Sequence, residues 1–183
     1  MGRKYAIRSQ DDFYFVTFTV VYWLDIFIRR EYKEIFLESL KYCQREKGLV
    51  ISAYCIMTSH IHLVLGTSGK VPLEDILRDL KSYTARHIRK YMEHNPEESR
   101  REWMLWMMQR AGVRNLRNKD FQLWQQHNHP VALVTNQMVE QKINYIHNNP
   151  VVAGFVARPE DWVYSSAVDY SGLKGMVDIY FLI

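Results

Sequence analysis

Cysteine is scarce in this chain of 183 residues: only Cys43 and Cys55 occur, and they form no metal-spaced or redox pair. That excludes a disulfide framework and a cysteine-built zinc module, and the expected compartment is a reducing one, the cytoplasm. A long apolar run is also missing. Residues 13–28 are the most apolar early stretch, but Asp25 interrupts them and they alternate like a strand, short of a membrane span. The start, Met1-Gly2-Arg3-Lys4-Tyr5, lacks the apolar core of a signal peptide. There is no internal repeat, low-complexity tract or linker. Nor is one charge sign in large excess: 24 Lys and Arg against 20 Asp and Glu leave +4, which permits a nucleic-acid partner without requiring one.

What is present fits a globular domain, since 48% hydrophobic against 24% charged residues is the balance of a chain that buries a core. The length suits a single domain over 1–183, with 151–183 as a C-terminal extension. Twelve tyrosines and five tryptophans exceed what a core alone needs. Residues 14–22 are β-branched and aromatic and predict a first strand. Residues 30–46 carry Ile35, Phe36, Leu40 and Cys43 at helical spacing, with Gly48 as stop. Residues 51–57 and 60–65 predict a hairpin turning at Thr58-Ser59. Pro72 opens a second helix reaching about Met92, and the breaker around Asn95-Pro96 precedes a short helix with Ser99 and Glu102 as its capping box. Residues 121–125 alternate and predict a fourth strand. Asn136 is the expected cap of a last main helix ended by Pro150, and the tail with Pro159, Trp162 and Tyr164 is expected to pack across the body. This order predicts an α+β fold, a ferredoxin-like antiparallel sheet with packed helices.

Two features carry chemistry. In His60-Ile61-His62, residues i and i+2 of a strand share a face, so both imidazoles project together while Ile61 turns inward. Two imidazoles supply part of a divalent-ion site, although the spacing alone fits surface or hydrogen-bonded histidines near a turn better. Tyr145 is turned about 200° from Ile143, off the apolar stripe, and Asn149 follows one turn later on its face. A phenol, with a reference pKa of about 10, is a poor nucleophile unless assisted. A metal polarising a phosphodiester would assist it, and the Asn149 carboxamide could complete the metal shell. Helix geometry alone also leaves Tyr145 as a surface tyrosine.

The segments 54–65 around His60 and His62, 77–84 (Leu-Arg-Asp-Leu-Lys-Ser-Tyr-Thr), 144–151 (Asn-Tyr-Ile-His-Asn-Asn-Pro-Val) and 162–167 (Trp-Val-Tyr-Ser-Ser-Ala) with Tyr170 resemble, in order, those of REP-associated tyrosine transposases. These are relatives of the small insertion-sequence single-tyrosine (HUH) transposases. The resemblance spans roughly residues 12–172. It implies a divalent metal, Mg²⁺ or Mn²⁺, held by His60, His62 and Asn149. It also implies Tyr145 as the nucleophile that forms a 5′-phosphotyrosine bond with single-stranded, hairpin-bearing DNA and frees a 3′-hydroxyl. Monomer and homodimer are both compatible with it. The chain departs from the pattern at 126–130, where a second His-x-His, His127 and His129, replaces a basic or aromatic stretch.

Arg78, Lys81, Arg86 and Arg89 give the second helix a basic side, and Arg114 and Arg117 belong to a second cluster around Trp103 and Trp106. Cations on phosphates with exposed rings on unpaired bases suit single strands, so these residues are the expected DNA contacts. Two other classes stay open: a non-catalytic single-stranded nucleic-acid-binding protein of the same fold, and a zinc hydrolase built on His60, His62, His127 and His129.

Overall fold

The computed structural model describes residues 6–115 and 120–182. The elements run β1 (Tyr14–Thr19), α1 (Arg30–Lys47), β2 (Leu49–Ile56), β3 (His60–Thr67), α2 (Leu73–His94), α3 (Arg101–Val113), β4 (Val131–Ala132), α4 (Asn136–Val152) and α5 (Ala167–Tyr170). The four strands form one antiparallel sheet in the order β2-β3-β1-β4, which with β-α-β-β-α-β connectivity is the expected ferredoxin-like arrangement. Among the described residues no helix is long and apolar enough to cross a membrane.

Alternation along the strands divides the core. Tyr14, Val16 and Phe18 of β1 with Ile61, Leu63 and Leu65 of β3 face α1 and α2, and all are at most 1% exposed. The opposite face, with Ala53, Cys55 and Val64, lies under Val139, Ile143 and Ile146 of α4. A register shift between Ile51 and Ala53 keeps β2 in step with both faces, because the extra residue sends Ile51 to one core and Ala53 to the other. The hairpin closes as expected, with the Met57 amide donating to the His60 carbonyl (2.9 Å) across Thr58-Ser59. Gly48 ends α1 in the left-handed region (φ 74°), its amide bonded to the Cys43 carbonyl.

Four local expectations are corrected. Residues 121–125 make only a single bridge, Val20 to Trp124; the strand beside β1 is the two-residue β4. The alternation at 121–125 breaks down because Leu123 and Trp124 are both buried, plugging the core instead of lining a sheet. Thr135, not Asn136, caps α4, its hydroxyl accepting from the Met138 amide at 3.2 Å. Pro150 does not end that helix: its ring is buried within the last turn, and the Ala153 amide still reaches the Asn149 carbonyl (3.0 Å). The capping box of Ser99 and Glu102 does not form. The Glu98 carboxylate, buried and ion-paired to Arg29 at 2.7 Å, instead accepts from the Arg100 amide.

The tail does pack across the body. Residues 164–166 run along the outer edge of β2, with Ile56 donating to Tyr164 (3.0 Å) and Ser166 to Tyr54 (3.0 Å). The Trp162 indole donates to the Ile56 carbonyl at 3.0 Å.

Candidate active site

β3 carries His60 and His62 on the face that α4 covers, and β1 lies directly beside them, pairing Thr19 with His60 and Thr17 with His62. The imidazole centroids are 4.7 Å apart. α4 brings Tyr145 over them, its ring 5.2 Å from that of His62 and edge-on to Phe15 at 6.0 Å. One turn later Asn149 comes close enough to His60 for its side chain to raise the imidazole's pKa. The two faces read from strand and helix spacing therefore meet, although about 83 residues separate them in the chain.

The histidines differ in environment. His62 is 5% exposed and sandwiched between the stacked ring of Phe15 and Tyr145. Burial, reinforced by His60 and Lys142, pushes its pKa down to about 3, so it is a neutral imidazole at any ordinary pH. Thr17 Oγ1 lies 2.9 Å from its Nδ1. With Nδ1–H donating to that hydroxyl, Nε2 carries the lone pair, and Nε2 is buried without a hydrogen-bond partner among the described residues. A buried, unpartnered nitrogen on an oriented imidazole is the arrangement of a metal ligand with its outer partner in place. His60, held less deeply, has its pKa lowered by burial, against which Asn149 and then Asp25 act.

His147, between Tyr145 and Asn149, faces away into the second core, its Nε2 2.8 Å from Ser166 Oγ. Burial lowers its pKa to about 4. An unfolded histidine takes up its proton near pH 6.5, so between about 6.5 and 4 the unfolded chain binds the proton and the folded one does not. Stability is then full above pH 6.5 and falls as pH drops toward 4, by up to about 1 kcal/mol per pH unit for this group, with His62 adding in the same sense. Urea unfolding followed by circular dichroism should show a clearly lower midpoint at about pH 5 than at about pH 7.5; equal midpoints would mean that the folded state accommodates the charge.

The expected DNA contacts separate in the structure. Arg78, Lys81, Arg86 and Arg89 line one groove of about 550 Å³ with Phe121 to Gln126 on its far wall. Within it Arg78 is ion-paired to Asp75 and Asp79, and Arg89 to Glu93. Lys81 is turned inward: its ammonium donates to the Gln125 carbonyl (2.7 Å) and to Asn128 Oδ1, and burial lowers its pKa to about 8. It ties α2 to the 125–128 segment. Arg114 lies at the end of α3, and Arg117 lies outside the described residues. A second groove, about 390 Å³, continues past Gln125 and Gln126 to His127 and His129 and reaches Thr17 and Phe15 beside the imidazole pair. His127 and His129 pair with each other at 5.8 Å, and no group of three His, Cys, Asp or Glu side chains converges among the described residues, so the four-histidine zinc centre has no support. A concavity of about 880 Å³ between α1 and α2 lies elsewhere.

Besides Phe15, stacked on His62, three neighbours of the imidazole pair are not marked by the sequence. Thr17 reaches His62 through strand register, which periodicity does not encode. Trp23 packs edge-on to His60 at 5.4 Å through an irregular turn. Lys142, with its ammonium 5.7 Å from the centre of the Tyr145 ring, could have been found from its i, i+3 spacing to Tyr145.

No curated protein sequence matches the chain. Among solved structures it is similar to a REP-associated tyrosine transposase bound to a REP hairpin, with a TM-score of 0.66 and 16% identity over 100% of this chain and 94% of that one. A candidate transposase from Deinococcus radiodurans R1 is 19% identical over 81% of this chain and 95% of its own, with a TM-score of 0.45. The sequence profile described as "Transposase IS200 like" matches residues 14–109, from β1 through most of α3, a span that includes His60 and His62 and stops short of Tyr145. With more than half of its length matched in this way, the chain belongs to the IS200-like transposases.

Proposed function

We propose that the protein is a metal-dependent single-stranded DNA endonuclease and strand transferase that acts on hairpin-bearing DNA through Tyr145. The observation that carries this is the convergence of His60, His62, Tyr145 and Asn149, with the buried Nε2 of His62 left without a partner. The donors fit a divalent ion: two imidazoles and a carboxamide oxygen, with no carboxylate cage among the described residues, leave positions for water and phosphate oxygens, and the family resemblance makes Mg²⁺ or Mn²⁺ the ion proposed. Such an ion, bound by His60, His62 and Asn149, would draw charge from the phosphoryl oxygens of the scissile phosphate.

The chain's own residues do the rest. Thr17 and Phe15 fix the His62 ring, so its lone pair points one way. Tyr145, 49% exposed at the rim, presents its hydroxyl to an incoming strand and loses its proton to solvent as it attacks phosphorus. The bond from phosphorus to the 3′-oxygen breaks and that oxygen takes a proton from solvent, leaving a 3′-hydroxyl on one fragment of the cut strand and a 5′-phosphotyrosine on the other. A 3′-hydroxyl attacking that linkage reverses the step and rejoins strands, with no external energy source. Lys142 favours the negative charge that develops between phenol and phosphate. The hairpin preference draws on the solved relative of the same fold, which holds a REP hairpin.

The test is a covalent-adduct assay with labelled hairpin oligonucleotides taken from the DNA flanking the protein's own gene. An adduct that survives denaturing electrophoresis, forms with Mg²⁺ or Mn²⁺ and is lost with chelator is the expected result. Tight binding without any adduct would instead favour the non-catalytic DNA-binding reading.

A further inference from the structure

Beyond β1 the chain makes an unusual turn. Tyr22 (φ 55°) and Trp23 (φ 56°) are consecutive bulky residues in the left-handed region, where a Cβ crowds the backbone and glycine is the customary occupant. Everything around them holds the turn in place. Val20 donates to Ser59 (2.9 Å) and Val21 to Leu123 (2.8 Å), while Phe27 donates to Thr58 (2.9 Å). Asp25 accepts from the Thr58 hydroxyl at 2.7 Å. Val21 and Leu24 are buried at 5% exposure and Ile26 and Phe27 at 0%, yet Tyr22 and Trp23 between them stand 42% and 57% exposed. A strained pair of aromatics pushed into solvent by an over-determined frame has a cost that the core does not recover, which points to use rather than packing.

The place of the ring indicates the use. Trp23 lies against His60, His60 against His62, and His62 against Tyr145, with successive centroids 5.4, 4.7 and 5.2 Å apart. We propose that Trp23 is a stacking platform for one unpaired base, that of the nucleotide adjoining the phosphate held at the imidazole pair. This rests on the strand-transfer reading above. A base inside a duplex already has its faces stacked, whereas an unpaired base offers a free π-face to an exposed indole. The platform therefore selects single-stranded over paired DNA at the point of cleavage, and it is a binding subsite distinct from the nucleophile and the metal donors.

The experiment reads binding apart from chemistry. In a Tyr145→Phe background with chelator present, fluorescence anisotropy follows a labelled hairpin oligonucleotide with an unpaired flank from the gene's own neighbourhood. An abasic site is walked through that flank one position at a time. One position should weaken binding about 10-fold, the scale of a lost base–aromatic stack. Trp23→Ala should weaken the intact oligonucleotide by a similar factor and be indifferent to that abasic site. Trp23→Phe should keep most of the affinity. Trp23→Gly, which suits the left-handed backbone, should unfold at no lower urea than wild type while losing the affinity. Unchanged binding by Trp23→Ala, or abasic sensitivity that persists in it, overturns the platform, as does wild-type binding with no sensitive position. The adduct assay with Tyr145 intact separates the two readings. An adduct that forms without dependence on Trp23 leaves the strand transferase standing alone; Trp23-dependent binding without an adduct leaves only the platform.

Discussion

Tyr145→Phe is expected to abolish the covalent DNA adduct, by on the order of 10³-fold or more, the scale on which removing a covalent nucleophile acts. One oxygen is deleted and little else changes. The phenylalanine ring can keep the edge-on contacts to Phe15 and His62. Half of the tyrosine is solvent-exposed, so losing its hydroxyl should move stability by no more than about 0.5 kcal/mol. Affinity for single-stranded hairpin DNA should persist, since the grooves that lead to the imidazole pair are untouched. Normal circular dichroism and DNA binding with no adduct is the expected set of results. An adduct at the wild-type level would place the nucleophile elsewhere, and peptide mapping of the attached DNA would identify it.

The largest expected effect on stability belongs to Trp124→Ala, a loss of about 3–5 kcal/mol. Trp124 is 5% exposed and sits where three aromatic residues from separate elements meet: stacked on Phe27 at 5.8 Å, and against Phe18 and Phe36 at 5.5 and 5.9 Å. Its indole also donates to the buried Thr84 hydroxyl at 3.0 Å. Truncation leaves a void between α1, α2 and the sheet that stiff aromatic neighbours cannot close. In a domain of this size each kcal/mol moves the melting temperature by roughly 2–4 °C, so calorimetry should show a drop of about 10 °C. Trp124→Phe, which keeps most of the volume and loses the indole donor, should fall between. A melting temperature within a degree or two of wild type would mean that the 121–125 segment is not part of the cooperative unit.

The elements that position the candidate site were legible because each announces itself by period. The i, i+2 spacing of His60 and His62 and the i, i+4 spacing of Tyr145 and Asn149 fixed which residues share a face. The hairpin at Thr58-Ser59 and the helices of 30–46 and 72–92 were read within two residues of their ends. Where the reading failed, tertiary packing had overridden local pattern. Phe121 to Gln125 alternates like a strand, yet Trp124 fills a hole in the core and leaves pairing with β1 to Val131–Ala132, too short to stand out. Pro150 has the local signature of a helix end, but it is buried inside the last turn and α4 runs on through Val152. Thr17 and Trp23 were invisible for a different reason: cross-strand register and backbone torsion are not periodic properties of a sequence. Lysines and arginines looked alike in a count, and only the structure distinguishes Lys81, committed to Gln125 and Asn128, from arginines on an open groove.

The contact of Ser166 with the edge of β2 matters for more than the tail. Its hydroxyl accepts from the Tyr54 amide (2.9 Å), donates to the Tyr54 carbonyl (3.2 Å) and receives the Nε2–H of His147 (2.8 Å). One side chain near the end of the chain is thus a keystone joining an edge strand to the helix that presents Tyr145. An uncovered edge strand is a template for a foreign one, and here the chain closes it with its own 164–166 segment. The same closure fixes how α4 sits on the sheet, so the spacing between phenol and imidazoles is set partly from a place that touches neither. Any event that loosens the tail, a proteolytic nick or a competing strand, would reach the candidate site through that hydroxyl.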